Sequence, residues 1–511
     1  MGKERVVGID LGTTNSCCAV VDDDGQKVRL IPYRGGEYTI PSIFAIDDKG
    51  NELIGHEAKR QWQLNPSRTI YGHKRLLGQQ TDPELLDKVK GYFAYPVEES
   101  EDRGEIQIPI GERKLTLQTV SAKILQKIRD VASEFLGAQV RRAVVTVPAY
   151  FTDRQRQAVK EAGTMINLDI MRIINEPTAA ALAFGVGRAM KSETVAVYDL
   201  GGGTFDISVI EIRDRVFEVK ATGGDIFLGG VDFDNRLADW VLSEFSKKNA
   251  GIDLSKDPIA MQRVLDLAER SKIDLSNRQK VKFSIPFVTM TPAGQPVDID
   301  VDVSREQFEK LTKDLVDRTM DTCRRVCDDA GVAPEAIDHV LLVGGQTRMP
   351  AVQNAVTSFF KKQPSKSVNP DEAVAIGAAM FAYSFEDNSN LKVQVLDVIP
   401  MAIGIENARG DVHQIFARNE AVPNLKTITF TTSIDDQQDL EMRIYQGDKK
   451  KAKENTMLGE FTFAGLRLGS AGSVRVQVIF NLTQDGILEM SAKDQDTGKE
   501  MRTTVNLHAP T

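Results

Sequence analysis

Val197-Tyr-Asp-Leu-Gly-Gly-Gly-Thr-Phe-Asp-Ile-Ser-Val209 places an apolar strand, a tight glycine turn and a second apolar strand in succession. Successive glycines allow positive φ angles and a close approach of the backbone to a ligand, so their N–H groups can surround a phosphate. A P-loop would need Gly-Lys-Ser/Thr leading into a helix, whereas the β-branched residues Ile207 and Val209 resume a strand here. The stretch therefore predicts a phosphate-binding hairpin, and the plainer alternative is a glycine-rich hairpin with polar turn residues.

Two acidic residues, Asp199 and Asp206, flank this turn. A carboxylate is tolerated beside a bound polyphosphate when Mg²⁺, with or without its waters, lies between them. The hairpin therefore predicts that ATP binds together with Mg²⁺.

The pattern occurs a second time near the N-terminus. Val7-Gly-Ile-Asp-Leu-Gly-Thr-Thr-Asn-Ser-Cys-Cys-Ala-Val-Val21 repeats the order of strand, Asp-Leu-Gly, hydroxyl-bearing turn and strand, so that Asp10 corresponds to Asp199. Two equivalent hairpins predict two homologous lobes that hold one nucleotide in the cleft between them.

The length of the chain predicts several folded units, because 511 residues exceed the roughly 250–300 at which a single core stops growing. No apolar run approaches the roughly 20 residues that span a bilayer, so we do not expect a membrane protein or a membrane partner. The first residues enter a strand without an apolar signal region, and we therefore expect a cytoplasmic location.

Charge and cysteine usage exclude further classes of function. The net charge is −9 and no segment is basic enough to follow nucleic-acid phosphates, so nucleic acid is not expected as a partner. The four cysteines have neither zinc-site spacing nor the pattern of a disulfide framework, and we interpret them as small hydrophobic residues: Cys17, Cys18, Cys323 and Cys327.

Two charged positions between the hairpins each allow a structural and a functional interpretation. Lys74 and Arg75 lie in a helix-like stretch that ends at Gly78. Such a pair is usually solvated, but one of the two could instead reach the γ-phosphate and orient the attacking water. Glu176 opens a predicted helix just before Pro177, where a carboxylate either caps the helix or faces the cleft as the ligand of a metal-bound water.

Two further segments beyond the second hairpin carry candidate binding residues. A predicted helix over residues 255–276 places Glu269, Lys272 and Ser276 on adjoining faces. The apolar strand His339-Val-Leu-Leu-Val343 runs into Gly-Gly and then a helix. Its glycine end is expected at the carboxyl edge, where α/β sheets bind ligands.

The polar segment 386–390 marks a predicted domain boundary. The apolar segment 391–400 follows it, and since linkers are normally solvated, we expect this segment to dock. Alternating patterns over 426–432, 440–445 and 474–482, with an Asp485-Gly486 turn, predict a small antiparallel β domain.

Five motifs, in this order, resemble the signatures of the seventy-kilodalton heat-shock chaperones in their bacterial DnaK-like form. They are Gly8-Ile-Asp-Leu-Gly-Thr-Thr-Asn-Ser16, Asn175-Glu-Pro-Thr-Ala-Ala-Ala181, Asp199-Leu-Gly-Gly-Gly-Thr-Phe-Asp206, Val343-Gly-Gly-Gln-Thr-Arg-Met-Pro350 and Asn369-Pro-Asp-Glu-Ala373. The resemblance covers essentially the whole chain.

The resemblance implies an α/β architecture of three parts. Residues 1–386 would form an actin-like ATPase domain of two lobes, 387–400 an apolar interdomain linker, and 401–511 an antiparallel β-sandwich that binds peptide. It implies a chaperone that couples ATP hydrolysis to the binding and release of extended apolar segments of unfolded proteins. A J-domain co-chaperone and a nucleotide exchange factor are further implied partners.

The resemblance also implies the roles of the nucleotide-binding residues. Asp10, Glu176 and Asp199 would hold hydrated Mg²⁺, Lys74 would position the water, and Thr204 would lie near the γ-phosphate. The implied cofactors are ATP or ADP with Mg²⁺, and K⁺ is a further candidate ion. The other implied cofactor contacts are Gly12, Thr13, Thr14, Gly201, Gly202 and Gly203 for the phosphates, and Glu269, Lys272, Ser276, Gly344, Gly345, Arg348 and Asp371 for the nucleoside side.

A second set of implied residues couples the ATPase to the peptide groove. Pro148 and Arg156 match a family switch, and Arg172 and Asp397 match positions that respond to J-domain co-chaperones. The linker contacts are Val393, Val395 and Leu396, and the implied walls of the peptide pocket are Ile403, Ile405, Phe430, Leu440, Met442 and Val476.

The sequence departs from the family pattern in three ways. It stops at Thr511, soon after the last predicted strand, so we expect no helical lid over the peptide. Gln394 stands where an aliphatic residue is usual, and Lys392 where an acid is usual. Ala408 and Ser433 stand where a methionine and a small apolar residue normally arch over the peptide.

These departures leave a second function open. A regulatory or scaffolding relative would bind one particular protein under ATP control, and a reduced arch and lid favour that alternative. An actin-like sugar kinase shares the hairpins, but it would need neither the apolar linker nor the C-terminal β domain.

Overall fold

The computed structural model describes residues 5–506 except 23, 24, 26, 82–84, 87, 88, 90, 91, 101–103, 187, 189–191, 292, 387 and 388. Residues 387 and 388 of the predicted linker and 507–511 of the predicted β domain therefore lie outside the described residues. The α-helices are His56–Gln61, Leu117–Leu136, Asp153–Met165, Glu176–Gly185, Gly230–Lys248, Pro258–Asn277, Arg305–Leu311, Lys313–Ala330, Pro350–Phe360 and Ala373–Ser384. The strands are β1 Val6–Asp10, β2 Asn15–Val21, β3 Val28–Leu30, β4 Thr39–Pro41, β5 Phe44–Ile46, β6 Glu52–Ile54, β7 Thr69–Ile70, β8 Glu98–Glu99, β9 Ile106–Ile110, β10 Arg113–Thr116, β11 Arg142–Val147, β12 Asp169–Asn175, β13 Glu193–Leu200, β14 Phe205–Arg213, β15 Val216–Asp225, β16 Lys280–Met290, β17 Pro296–Ser304, β18 His339–Val343, β19 Gln394–Val398, β20 Ile403–Glu406, β21 Val412–Phe416, β22 Ala421–Val422, β23 Asn424–Thr431, β24 Asp439–Gln446, β25 Thr456–Ala464, β26 Arg475–Leu482, β27 Leu488–Asp494 and β28 Arg502–Asn506.

The first large sheet carries the N-terminal hairpin. Its strand order is β12-β11-β1-β2-β3, and β4 also pairs with β2. β1 and β2 form the predicted antiparallel hairpin, while β1 pairs in parallel with β11. The helix Leu117–Leu136 precedes β11 and begins where the hydroxyl of Thr116 accepts a hydrogen bond from the N–H of Thr119. Its apolar face packs against the sheet.

The second large sheet repeats this arrangement. Its order is β18-β13-β14-β15-β19-β22, with β13 and β14 forming the glycine hairpin and β13 paired in parallel with β18. Asp10 ends β1, and Asp199 lies at the equivalent end of β13. The repeat confirms that the two hairpins belong to two similar sheets.

Two alanine-rich helices, Glu176–Gly185 and Ala373–Ser384, hold the sheets against each other. A Cβ atom at Gly377 would lie 1.7 Å from the carbonyl oxygen of Ala179, and one at Gly8 would lie 2.1 Å from the nitrogen of Ala379. Glycine is the residue that permits backbones to approach so closely. This tight crossing fixes the two glycine turns relative to each other.

Residues 401–506 form two antiparallel sheets around one core. Their orders are β21-β20-β24-β25-β28 and β23-β26-β27, and the shared core includes Ile403, Met442 and Phe480. Gly486 has a φ of 72° in the turn between β26 and β27, which agrees with the predicted Asp485-Gly486 hairpin turn. The prediction of antiparallel strands in this part of the chain is confirmed.

The apolar segment that follows the predicted boundary forms β19. This strand adds in parallel to β15 of the second large sheet and pairs antiparallel with the short β22. Val393 and Val395 pack, half-buried, against the core between the two lobes, and Val398 is buried there. The docking predicted from the sequence is therefore seen. None of the helices in the described chain combines the length and apolar composition that crossing a bilayer requires.

Candidate nucleotide site

The two glycine turns open into one cavity of about 770 Å³ between the lobes. Its walls bring together residues that are far apart in the sequence, from β1, β13, the helix Pro258–Asn277 and the segment after β18. The predicted site residues among its lining are Asp10, Gly12, Thr13, Thr14, Glu176, Asp199, Gly201, Gly202, Thr204, Glu269, Lys272, Ser276, Gly344, Gly345, Arg348 and Asp371.

The turns touch each other across the base of this cavity. A Cβ atom at Gly202 would lie 1.9 Å from Oγ1 of Thr14, and one at Gly203 would lie 2.3 Å from Cγ2 of Thr13. Positions 202 and 203 of the turn can therefore be occupied only by glycine, and no side chain covers their N–H groups. Bare backbone N–H groups beside threonine hydroxyls are donors suited to phosphate oxygens.

Lys74 lies beside the turns in a short 3₁₀ helix, His73–Arg75, which begins after Gly72 in the left-handed region with φ 63°. Its side chain is only 1% exposed, and Nζ donates to Oε1 of Glu176 at 2.6 Å. A lysine buried to this degree is not a solvated residue, so the structural interpretation of a surface basic pair is wrong. The role of Lys74 in positioning water remains a prediction.

Carboxylates crowd the same region. Burial, followed by the charge of Glu176, raises the pKa of Asp10 to about 7. Burial raises the pKa of Asp206 to about 8, and burial with the charge of Glu176 holds the pKa of Asp199 well above its usual value. These groups repel one another in a poorly hydrated space, where the charge of Lys74 acts to lower the pKa of each.

This donor set fits a hydrated divalent cation. Carboxylate oxygens are the ligands that Mg²⁺ prefers, and an added positive charge would relieve their repulsion. Within the described parts of the chain, no three His, Cys, Asp or Glu side chains are close enough to chelate a metal directly. A cation held here would therefore complete its shell with water and phosphate oxygens.

The sequence names Arg75 together with Lys74 as a candidate to reach the γ-phosphate, but it does not reveal the partners of Arg75. Its Nε donates to the carbonyl oxygen of Gly203 at 2.7 Å, and its guanidinium is paired with Asp232. Asp232 also accepts from the N–H of Gly229 at 2.7 Å, at the start of the next helix. Arg75 thus fastens the second glycine turn to both lobes. Its position next to Lys74 marks Arg75 as a candidate. Its partners cannot be predicted from the sequence, because they lie more than a hundred residues away.

The other end of the cavity is lined by polar groups of the second lobe. Lys272 donates to the carbonyl oxygen of Gly230 at 3.0 Å and pairs with Asp234 at 2.9 Å. Arg348 pairs with Asp371 across the turn that follows β18. These groups are fixed before any ligand binds, which suits recognition of a ribose and the edge of a base.

The predicted switch residues lie behind this cavity. Pro148 starts the turn after β11, where the N–H of Tyr150 donates to Oδ1 of Asp206 at 3.0 Å. Arg156 is buried, and it donates to the carbonyl oxygen of Ala149 at 3.2 Å and to Oδ1 of Asn175 at 2.8 Å. The same guanidinium reaches the carbonyl oxygen of Asp485 at 3.4 Å. One turn therefore contacts both the nucleotide hairpin and the C-terminal sheets.

The C-terminal sheets are held by a group of acids and bases around the β26–β27 turn. Asp485 accepts from Nε of Arg172 and from the N–H of Ile173, both at 3.0 Å, and pairs with Lys160. Asp397 of β19 is half-buried and accepts from Oγ1 of Thr178 at 3.2 Å. Asp485 was predicted only as a turn residue, because the sequence offers no sign of its partners.

The predicted peptide-pocket residues fall into two groups. Ile403, Ile405, Met442 and Val476 are buried in the shared core of the C-terminal sheets, while Phe430 and Leu440 are half-buried at its margin. Ala408 and Ser433 are exposed. All four cysteines are free and buried, as predicted.

Two similar lobes that close around a glycine-lined cleft define the actin-like class of ATP-binding proteins. Comparison with protein families gives the more particular assignment, since the model of the family described as Hsp70 protein matches residues 6–510 of this chain. The chain therefore belongs to the Hsp70 family, whose members are ATP-binding chaperones with ATPase activity.

Proposed function

We propose that this chain hydrolyses ATP in the cleft between its lobes and uses that reaction to control the binding of extended apolar peptides. The ATPase domain would span residues 1–386, the linker 387–400 and the peptide-binding β-sandwich 401–511. The observation that carries the proposal is β19, because this one strand extends the sheet that holds a nucleotide turn and also pairs with β22.

Hydrolysis requires a positioned water and neutralisation of the charge on the γ-phosphoryl group. Bound Mg²⁺ supplies part of that neutralisation. The buried ammonium of Lys74, held by Glu176, orients the water, and the N–H groups of Gly202 and Gly203 in the turn bind the phosphate oxygens. Asp10 and Asp199 hold the hydrated cation, and Thr204 lies near the γ-phosphate.

The coupling route follows from the contacts of Asp206 and Arg156. Asp206 lies at the nucleotide hairpin and holds the Tyr150 turn, and Arg156 holds the same turn against the Asp485 loop. A change in charge at the phosphates therefore alters contacts that dock the C-terminal sheets. Loss of these contacts releases β19 and changes the peptide site.

Unfolded or extended polypeptides are the proposed clients, and a J-domain co-chaperone and a nucleotide exchange factor the proposed regulators. The test is a panel of unstructured apolar peptides, each labelled and measured for binding and release with ADP and with ATP. We expect at least one peptide to bind and ATP to accelerate its release. A protein that hydrolyses ATP but binds no peptide of the panel would instead be the regulatory relative that recognises one folded partner.

A further inference from the structure

Aromatic side chains line the first-lobe wall of the nucleotide cavity, and none of them belongs to the predicted site. Trp62 and Tyr71 both face it, and their rings lie 4.7 Å apart with an interplanar angle of 48°. Tyr71 is in turn contacted edge-on by Phe93 and Tyr95, each with ring centroids at 5.5 Å. Trp62 is therefore supported from behind by a packed aromatic cluster.

The indole of Trp62 lies across the cavity from the nucleoside side of the proposed site. Nζ of Lys59 is 5.8 Å from the centroid of the Trp62 ring and 3.7 Å from Oε2 of Glu269. Glu269 and Lys272 come from one helix of the second lobe and line the same cavity. One lysine side chain is thus enough to bridge Trp62 and the opposite wall.

We infer that Trp62 contacts the base of the bound nucleotide. The second lobe offers carboxylate, ammonium and guanidinium groups, which bond the edges of a base and the ribose. The rigid indole supplies the aromatic surface that a flat nucleobase packs against. The inference rests on the proposed ATP site, and it assigns to this site a ligand with an aromatic base rather than a polyphosphate alone.

The first test uses tryptophan emission. The chain has two tryptophans, and Trp240 packs against the core of the second lobe. In Trp240→Phe, the remaining emission comes from Trp62 and is expected to change on addition of ADP but not of inorganic tripolyphosphate. In the matched variant Trp62→Phe, ADP is expected to leave the emission of Trp240 unchanged. Emission from Trp62 that does not respond to saturating ADP would overturn the inference.

The second test separates base contact from a purely structural role. Trp62→Ala is expected to weaken ADP binding about tenfold, while tripolyphosphate binding stays within about twofold. Trp62→Phe retains an aromatic ring and is expected to bind ADP within about threefold of wild type. Equal losses for ADP and tripolyphosphate would show that Trp62 only supports the fold, and an unchanged ADP affinity in Trp62→Ala would also refute the contact.

Failure of the proposed function gives a different result. In that case the wild-type protein would bind neither ADP nor ATP, and substitutions of Trp62 would have no nucleotide affinity to change. If Trp62→Ala does not fold, the emission test on Trp240→Phe still decides, because that protein keeps Trp62.

Discussion

Nε of Arg172 donates to Oδ1 of Asp485 at 3.0 Å, although 313 positions separate the two residues. The guanidinium of Arg172 also lies 5.5 Å from the ring of Phe381 and 5.8 Å from that of Phe385, on the helix that leads to the linker. Arg172 therefore contacts the first lobe, the C-terminal end of the helix Ala373–Ser384 and the C-terminal sheets at once.

Replacement of Asp485 should release the C-terminal sheets. Asp485→Ala removes the acceptor of Arg172, Lys160 and the N–H of Ile173, and hydrogen bonds to a charged group contribute about 1.5–3 kcal/mol each. We expect docking in the presence of ATP to weaken by about tenfold or more, measured as faster protease cutting at residues 389–396. Asp496→Ala is the control, because Asp496 pairs with Arg467 and Arg475 within the β domain. Equal cutting of Asp485→Ala and wild type would contradict this role.

The linker strand should be sensitive to a charge at Leu396 and insensitive to one at Gln394. Leu396 is half-buried opposite Glu218 of β15, whereas Gln394 is exposed in the same strand. Leu396→Asp places a carboxylate against apolar surface and loses about 1.5–3 kcal/mol of burial if the side chain is fully buried on docking. ATP should then fail to protect the linker from protease. Gln394→Asp should behave as wild type, and protection that persists in Leu396→Asp would show that docking does not depend on the burial of Leu396.

The sequence predicted the repeated hairpins, the antiparallel C-terminal strands and the docking of the apolar segment, because each follows from local periodicity and turn chemistry. It did not predict that Lys74 meets Glu176 or that Arg75 holds Gly203, since these contacts depend on how the two lobes pack. The sequence predicts either Thr152 or Asp153 as the N-cap of the helix Asp153–Met165, and Thr152 is the residue that caps it. Contacts between distant segments leave no trace in periodicity, which is why the interface acids were missed.

Docking should depend on pH through Asp153. Its backbone N–H donates to Oε1 of Gln446 at 3.0 Å and its carboxylate accepts from the N–H of Leu488 at 2.5 Å. Burial raises the pKa of Asp153 from 3.8 to about 6. In the undocked state the carboxyl group of Asp153 is hydrated and its pKa returns towards 3.8. Between pH 3.8 and about 6, the docked state therefore binds more protons than the undocked state. Docking should therefore strengthen as the pH falls from about 6 to 4, by up to about tenfold per unit, and stay level above that window.

The matched variant for this prediction is Asp153→Asn, which keeps the shape of the side chain without its titration. Protease protection of the linker with ATP, measured from pH 5 to 8, should rise at the acidic end in wild type and remain flat in the variant. Superimposable profiles would show that Asp153 does not set the dependence.

Lys74→Ala should abolish hydrolysis while sparing nucleotide binding. The ammonium acts on the attacking water, so its interaction is made mainly in the transition state. We expect the single-turnover rate to fall by at least about 100-fold, the usual effect of removing one preorganised donor. Lys59→Ala is the control, because Lys59 pairs with Glu269 on the nucleoside side and should change ATP affinity more than the chemical step. Near wild-type turnover in Lys74→Ala would remove the proposed water-positioning role.

Two glycines in and beside the second turn should differ in their tolerance of an added methyl group. Gly201 should accept one, whereas Gly229 should not. A Cβ atom at Gly229 would lie 2.6 Å from backbone atoms of Gly203, and backbone cannot rotate away as a side chain can. The N–H groups of Gly230 and Val231 donate to the carbonyl oxygens of Gly201 and Gly202 at 2.9 Å, so the helix start is fastened to the turn. A displaced helix start must therefore carry the turn with it.

Gly229→Ala should accordingly lower the free energy of unfolding of the nucleotide-free protein by about 1–3 kcal/mol, the usual cost of overpacking. It should also weaken ATP binding, because the N–H groups at Gly202 and Gly203 would no longer converge on the phosphate. Gly201→Ala is the control for stability: a Cβ there meets only the carbonyl oxygen of Thr204 at 3.8 Å, an ordinary contact, and should cost less than about 0.5 kcal/mol. Denaturant unfolding without nucleotide and an ATP titration measure the two effects. If Gly229→Ala matches wild type in both, the turn has more freedom than its contacts imply, and the close fit between the two lobes is not what shapes the phosphate site.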